Sequence, residues 1–161
     1  MKECINEITT LLNAGDPIIE LETYDEERLC GKGGALKKLC LDIDMDYFEW
    51  TCTGGLRDHT GKPIGQNTND LLAALNEVFT FNGNAVYVVK DPHPYMADPT
   101  IQRRLKDLHA ALRVADNKKT IILVMPNMTI PLDLQKVITL VEIPLPGPEE
   151  LEPIVVSALK D

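Results

Sequence analysis

Serine occurs once in this chain of 161 residues, at Ser157 in a closing helical segment. A serine nucleophile of the usual hydrolase kind needs a G-x-S-x-G turn between a strand and a helix, and Ser157 has none, so that chemistry is effectively excluded. Cysteine is present only as Cys4, Cys30, Cys40 and Cys52. None of them has C-x-x-C spacing or a histidine beside it, which removes the usual signatures of zinc and thioredoxin-like sites. Reduced, mostly buried thiols are expected instead. Positive charge is also scarce, with 16 Lys and Arg against 25 Asp and Glu and a net charge of -9. Nucleic-acid binding draws most of its affinity from clustered cations, so DNA and RNA are disfavoured as partners. No apolar run approaches the about 20 residues of a membrane span. The start Met1-Lys2-Glu3-Cys4 is not a secretory signal, and a cytoplasmic address follows by elimination.

What is present is the balance of a folded globular chain, 44% hydrophobic and 25% charged, of a size that suits a single α/β domain over residues 1–161. An N-terminal helix is expected over 1–14, where Ile5, Ile8 and Leu12 share one face and Gly15 and Pro17 stand where helices stop. The core then occupies 15–161. Pro17 to Thr23 reads as a buried strand, and Thr23 with Glu26 as a capping box opening a helix that Gly31, Gly33 and Gly34 weaken. A second strand is expected at Tyr47 to Thr53, followed by a turn-rich segment from Gly54 to Asn67. Thr68 or Asn69 caps a helix with Leu71, Leu72, Leu75 and Phe79 inward. Ala85 to Val89 is the third strand, and Asp98-Pro99 opens a helix with Ile101, Leu105, Leu108 and Leu112 inward. Thr120 to Met125 is a fourth strand, Pro131 to Lys136 a short helix, and Val137 to Ile143 a fifth strand. Pro148 to Leu159 forms a closing helix whose start Pro153 delays. This alternation calls for three layers, with five parallel strands joined by right-handed crossovers and covered on both faces.

The motifs tested mostly reduce to structure. A phosphate-binding loop, G-x-x-x-x-G-K-S/T, belongs after the first strand, but the residues there are Tyr24-Asp25-Glu26-Glu27-Arg28. Their carboxylates would repel a triphosphate at the helix end whose dipole should attract it. Gly55 to Lys62 has one residue too many before Gly-Lys, with Pro63 where Ser or Thr belongs. Gly31-Lys32-Gly33-Gly34 lacks the third glycine of a dinucleotide fingerprint. Asp42, Asp44 and Asp46 resemble half a calcium loop, but Tyr47 and Thr53 stand where glycine and glutamate are needed. The strongest cluster is Lys90-Asp91-Pro92-His93-Pro94, because open parallel sheets present ligand groups at the carboxyl ends of strands. Asp91 and His93 could pair as acid and base or as metal ligands. The two prolines equally suit a rigid structural turn.

Four segments carry a family resemblance: PIIELETYDEERL from Pro17, YFEWTCTGGL from Tyr47, VYVVKDPHPYMADPTIQRRLKDL from Val86, and TIILVMPNMTIPLDLQKVITLVEIPLPGPEEL from Thr120. Together, over about residues 5 to 159, they resemble the N-terminal domain of the AAA-type ATPases encoded as a hypothetical open reading frame in algal plastids and cyanobacteria. The resemblance implies a degenerate P-loop ATPase core with strand order 5-1-4-3-2, the intact phosphate-binding loop belonging to a separate C-terminal module. It sets Val86 to Asp91 in place of the magnesium-binding strand, with Lys90 where the aspartate belongs, and Asn127 in place of a polar sensor. The triple glycine at 31–34, the long turn at 54–67 and Pro153 depart from the pattern.

The expected function is therefore a non-catalytic module that binds a protein partner or regulates an AAA-type ATPase, through an ATPase module or self-association. No cofactor, metal, membrane or small-molecule ligand is expected, and plastid stroma replaces cytoplasm if the gene is organellar. Candidate ligand or partner residues are Asp91, His93, Asn127, Arg57 and Thr53. The alternatives are a weak nucleotide-binding or hydrolysing site at the strand ends, and a free-standing modulator that assembles with a full-length relative.

Overall fold

The computed structural model describes residues 1–127 and 130–160. Met128, Thr129 and Asp161, which fall within the expected domain, lie outside the described residues. Helix α1, Lys2–Ala14, ends on Gly15 in the left-handed conformation. Strand β1, Ile18–Glu22, leads to the short helix α2, Glu26–Cys30, and then to α3, Ala35–Asp42. Between them the chain turns so tightly that only glycine fits at 34, since a Cβ there would stand 2.5 Å from the Leu29 carbonyl oxygen. Strands β2, Asp46–Thr51, and β3, Gly55–Asp58, precede α4, Leu71–Thr80. Strand β4, Ala85–Lys90, helix α5, Pro99–Arg113, and strand β5, Lys119–Met125, follow. The chain closes with β6, Thr139–Glu142, and α6, Pro148–Lys160.

The sheet has six strands in the order β3-β2-β4-β5-β1-β6, so the count exceeds the expected five and the full order gains a strand at one edge, while the five parallel strands, read from β6, follow one another as in the expected 5-1-4-3-2. The extra strand is β3, which runs antiparallel to β2 with Leu56 opposite Trp50. It lay inside the segment read as turn, because four residues beginning with a left-handed glycine and ending Arg57-Asp58 show no apolar alternation. The other five strands pair in parallel, each in the interior of one mixed sheet or at its β6 edge.

Strand alternation sends side chains to two cores. Ile19, Leu21, Val86, Val88, Ile122 and Val124 meet Ile8, Leu12, Leu29, Leu36 and Leu39 from α1, α2 and α3. Trp50, Tyr87, Val89, Ile121 and Leu123 meet Leu71, Leu75, Ile101, Leu105 and Leu108 from α4 and α5. These are the three layers that near-continuous apolar strands require.

Several local expectations need correction. The cap of α2 is Asp25, not a Thr23–Glu26 box, and the Thr23 hydroxyl instead accepts the Asp25 N–H at 3.0 Å. Asp70, not Thr68 or Asn69, caps α4, and Phe79 points outward under the Arg104 guanidinium while Val78 takes the inward place. Residues 131–136 supply only a 3-10 turn, Leu132–Leu134. Helix α6 begins at Pro148 and contains Pro153, and none of its described residues is buried. Of the four thiols, Cys30 and Cys40 are buried, Cys4 is half-buried and Cys52 exposed. Burial pushes the Cys30 and Cys40 thiols up to about 12. Among the described residues no helix is long and apolar enough to cross a membrane.

Candidate functional site

The carboxyl ends of the parallel strands form one rim of the sheet, and β1 and the start of α2 occupy the place where a phosphate loop would stand. Beyond Glu22, the Thr23 N–H donates to the Met125 carbonyl at 2.9 Å, which carries the chain one residue past the strand. Asp25 then accepts the Arg28 N–H at 3.3 Å, and Glu26 and Glu27 fill the first turn. The positive end of the short helix is thus met by the chain's own carboxylates.

Next to it, Lys90 ends β4 on the face that packs against α2. Its Nζ lies 3.1 Å from Glu49 Oε1 and 3.7 Å from Glu26 Oε1. The Tyr47 hydroxyl donates to Glu49 Oε1 at 2.9 Å. Burial alone would depress the Lys90 ammonium, but the bond to Glu49 and the charges of Glu49 and Glu26 outweigh it and raise its pKa. Glu26 is itself raised, by burial first, with Asp91 and Glu49 opposing the help from Lys90. Lys90 is therefore tied chiefly to Glu49. Replacing it with methionine leaves Glu49 half-buried with no cation, and Lys90→Met is expected to cost about 2 kcal/mol in urea unfolding at neutral pH. Adding Glu49→Gln should recover most of that loss.

A crevice of ≈ 710 Å³ opens where β1 and β6 end. Tyr24, Pro126, Pro144 and Leu145 line it together with Glu22 and Glu142. These two glutamates are direct register partners on parallel strands and so point to the same face. Among the described residues neither has a cation within 4.0 Å. The nearby Arg28 is committed elsewhere, donating to the Pro144 carbonyl at 2.6 Å and to Glu150 Oε2 at 3.3 Å. Two residues before Glu22 on the same face, Glu20 is fully buried, and among the described residues neither of its carboxylate oxygens has a hydrogen-bond partner. Burial, and then the charge of Glu22, push its carboxyl up to about 7.

A family model described as the SpoVK-like AAA ATPase N-terminal domain matches residues 4–143. The chain belongs to that family. It is 28% identical over 151 residues to a protein of Guillardia theta named "Uncharacterized AAA domain-containing protein ycf46", covering 92% of this chain and 29% of the relative. Identically named proteins of Trieres chinensis and Gracilaria tenuistipitata var. liui are 28% and 26% identical over 147 and 148 residues, each with 91% of this chain and 29% of the relative covered. The chain thus spans about 29% of the length of these relatives.

In this SpoVK-like domain the residues singled out from sequence are spread along the rim. Asp91 follows β4 in the left-handed conformation, with φ 51°, and its N–H donates to the Val124 carbonyl. His93 opens a 3-10 turn and Asn127 lies beyond β5, both exposed. Arg57, on β3, donates to the carbonyls of Gly54 and Gly61 at 2.9 and 2.8 Å, and Thr53 accepts Asn69 Nδ2 at 2.9 Å. No hydrogen bond or ion pair among the described residues joins any two of these five, and none of them lines the crevice. Of the crevice residues, Tyr24, Asp25 and Arg28 entered the sequence reading only as an acidic segment hostile to phosphate, and Glu22 and Glu142 not at all. The other signals are Pro126 directly after one strand and Ile143-Pro144-Leu145-Pro146 after another, which suit ordinary strand stops.

Proposed function

We propose that this SpoVK-like N-terminal domain is a non-catalytic module through which an AAA-type ATPase is regulated or joined to a protein partner. The observation that carries this reading is Asp25, whose carboxylate caps α2 at the position a phosphate would need. Lys90 points the same way, because its charge is already spent on Glu49 and Glu26. A helix end that must attract a triphosphate does not carry three carboxylates of its own. One sheet with both faces covered favours reading 1–161 as a single domain, and we infer an address in the cytoplasm or plastid stroma.

Titration calorimetry with Mg-ATP and Mg-ADP tests the reading, carried to millimolar ligand where binding is worth only about 4 kcal/mol. No saturable heat is expected. Saturable heat that disappears in Asp91→Ala or Asn127→Ala would overturn the reading in favour of a nucleotide site.

A further inference from the structure

We propose that the crevice beside β1 and β6 receives an extended basic segment of a partner protein, with an arginine or lysine set between Glu22 and Glu142. The proposal rests on the protein-binding reading above and names the site and the chemistry of what binds there.

Three observations converge on a cationic guest. Glu22 and Glu142 are neighbours in register, an arrangement of like charges that costs stability unless something neutralises it. Among the described residues no side chain pairs with either, since Arg28, which also lines the crevice, is held by Pro144 and Glu150. Two residues further back along β1, on the same sheet face though not itself lining the crevice, Glu20 is a third carboxylate, fully buried and without a partner among the described residues. A carboxylate kept where it destabilises its own fold is the mark of a site optimised for binding rather than for stability.

The lining decides between kinds of cation. Among the described residues no three His, Cys, Asp or Glu side chains converge as metal ligands. Tyr24 and Leu145 are instead 81% and 87% exposed, an aromatic and an aliphatic surface lining the same crevice as the two glutamates. Pro126 and Pro144 restrict the backbone of the same lining, so the surface is preorganised and loses little entropy on binding. Apolar and charged side chains lining one crevice suit a peptide that carries both leucine-like and basic side chains, with charge fixing its register and the apolar lining supplying contact area.

The test uses the 161-residue chain and three probes followed by NMR of backbone amides: a peptide of alternating arginine and leucine, its glutamate-leucine counterpart, and spermidine. The arginine peptide is expected to saturate and to move the amides of Glu22, Tyr24 and Leu145, while the glutamate peptide moves none. Glu22→Gln with Glu142→Gln should weaken binding by about tenfold, and Leu145→Ala by about fivefold. Glu142→Gln alone, at the exposed sheet edge, serves as a folded control with an intermediate loss. Shifts scattered over the acidic surface, no shift at all, or spermidine matching the peptide with Leu145→Ala indifferent would overturn the proposal. Silence towards the peptide together with silence towards nucleotide removes this site and leaves the non-catalytic reading in place. Saturable nucleotide heat that disappears in Asp91→Ala or Asn127→Ala removes that reading whatever the peptide does.

Discussion

Glu20→Leu is expected to stabilise the domain by about 3 kcal/mol at pH 8 and by much less near pH 4. The magnitude follows from a carboxyl held at about 7 where 4.5 is ordinary, each pH unit between them being worth about 1.4 kcal/mol. The sign follows from proton counting. Unfolded, Glu20 gives up its proton near the ordinary value, whereas folded it keeps the proton until about 7. Between those two values the native state binds more protons than the unfolded chain, so stability falls as pH rises and the full penalty is present above pH 7. Leucine removes both the charge and the two unpartnered oxygens, in a position flanked in register by Leu123 and Leu140. Urea unfolding of both proteins across pH 4 to 8 should give two curves that diverge as pH rises. Parallel curves, or a loss at pH 8, would mean that Glu20 finds a partner in solution.

That penalty fits poorly with a residue selected for the core. In the sequence Glu20 sits within Ile18-Ile19-Glu20-Leu21, a run that reads as a buried strand, and nothing local tells whether a carboxylate there finds a partner. Only the packing around β1, between β5 and β6, leaves both of its oxygens without one among the described residues. The same limit hid the crevice. Glu22 and Glu142 stand 120 positions apart in the chain, and nothing in either segment announces that they are register partners. By contrast, Asp98-Pro99, the apolar positions of α5 and the run at Thr120 to Met125 were fully legible, because caps and periodicity are local. Asp25 fell between the two cases. Its acidity after β1 was plain in the sequence, and its role as the actual cap needed the turn geometry that Thr23 sets.

Strand β3 is the other element that sequence did not disclose, and Trp50→Ala is expected to show what holds it, at a cost of about 4 kcal/mol. Trp50 is fully buried on β2, edge-on to Tyr95 with ring centroids 5.8 Å apart. Its indole N–H donates to the Thr68 carbonyl at 2.5 Å, and the Thr68 hydroxyl accepts the Leu56 N–H at 2.9 Å. Asn69 then donates to the carbonyls of Cys52 and Thr53, fastening the end of the long loop to the turn between β2 and β3. The indole thus organises three segments that have no local reason to meet. Its removal should open them together, so that the Leu56 amide loses far more protection from hydrogen exchange than Val88 or Ile122 at the sheet centre. Trp50→Phe keeps most of the buried area but abandons the Thr68 carbonyl, and should cost about 1–2 kcal/mol. If Trp50→Ala cost no more than the phenylalanine variant, the hydrogen bond would carry β3, and the packing of the ring would add little to it.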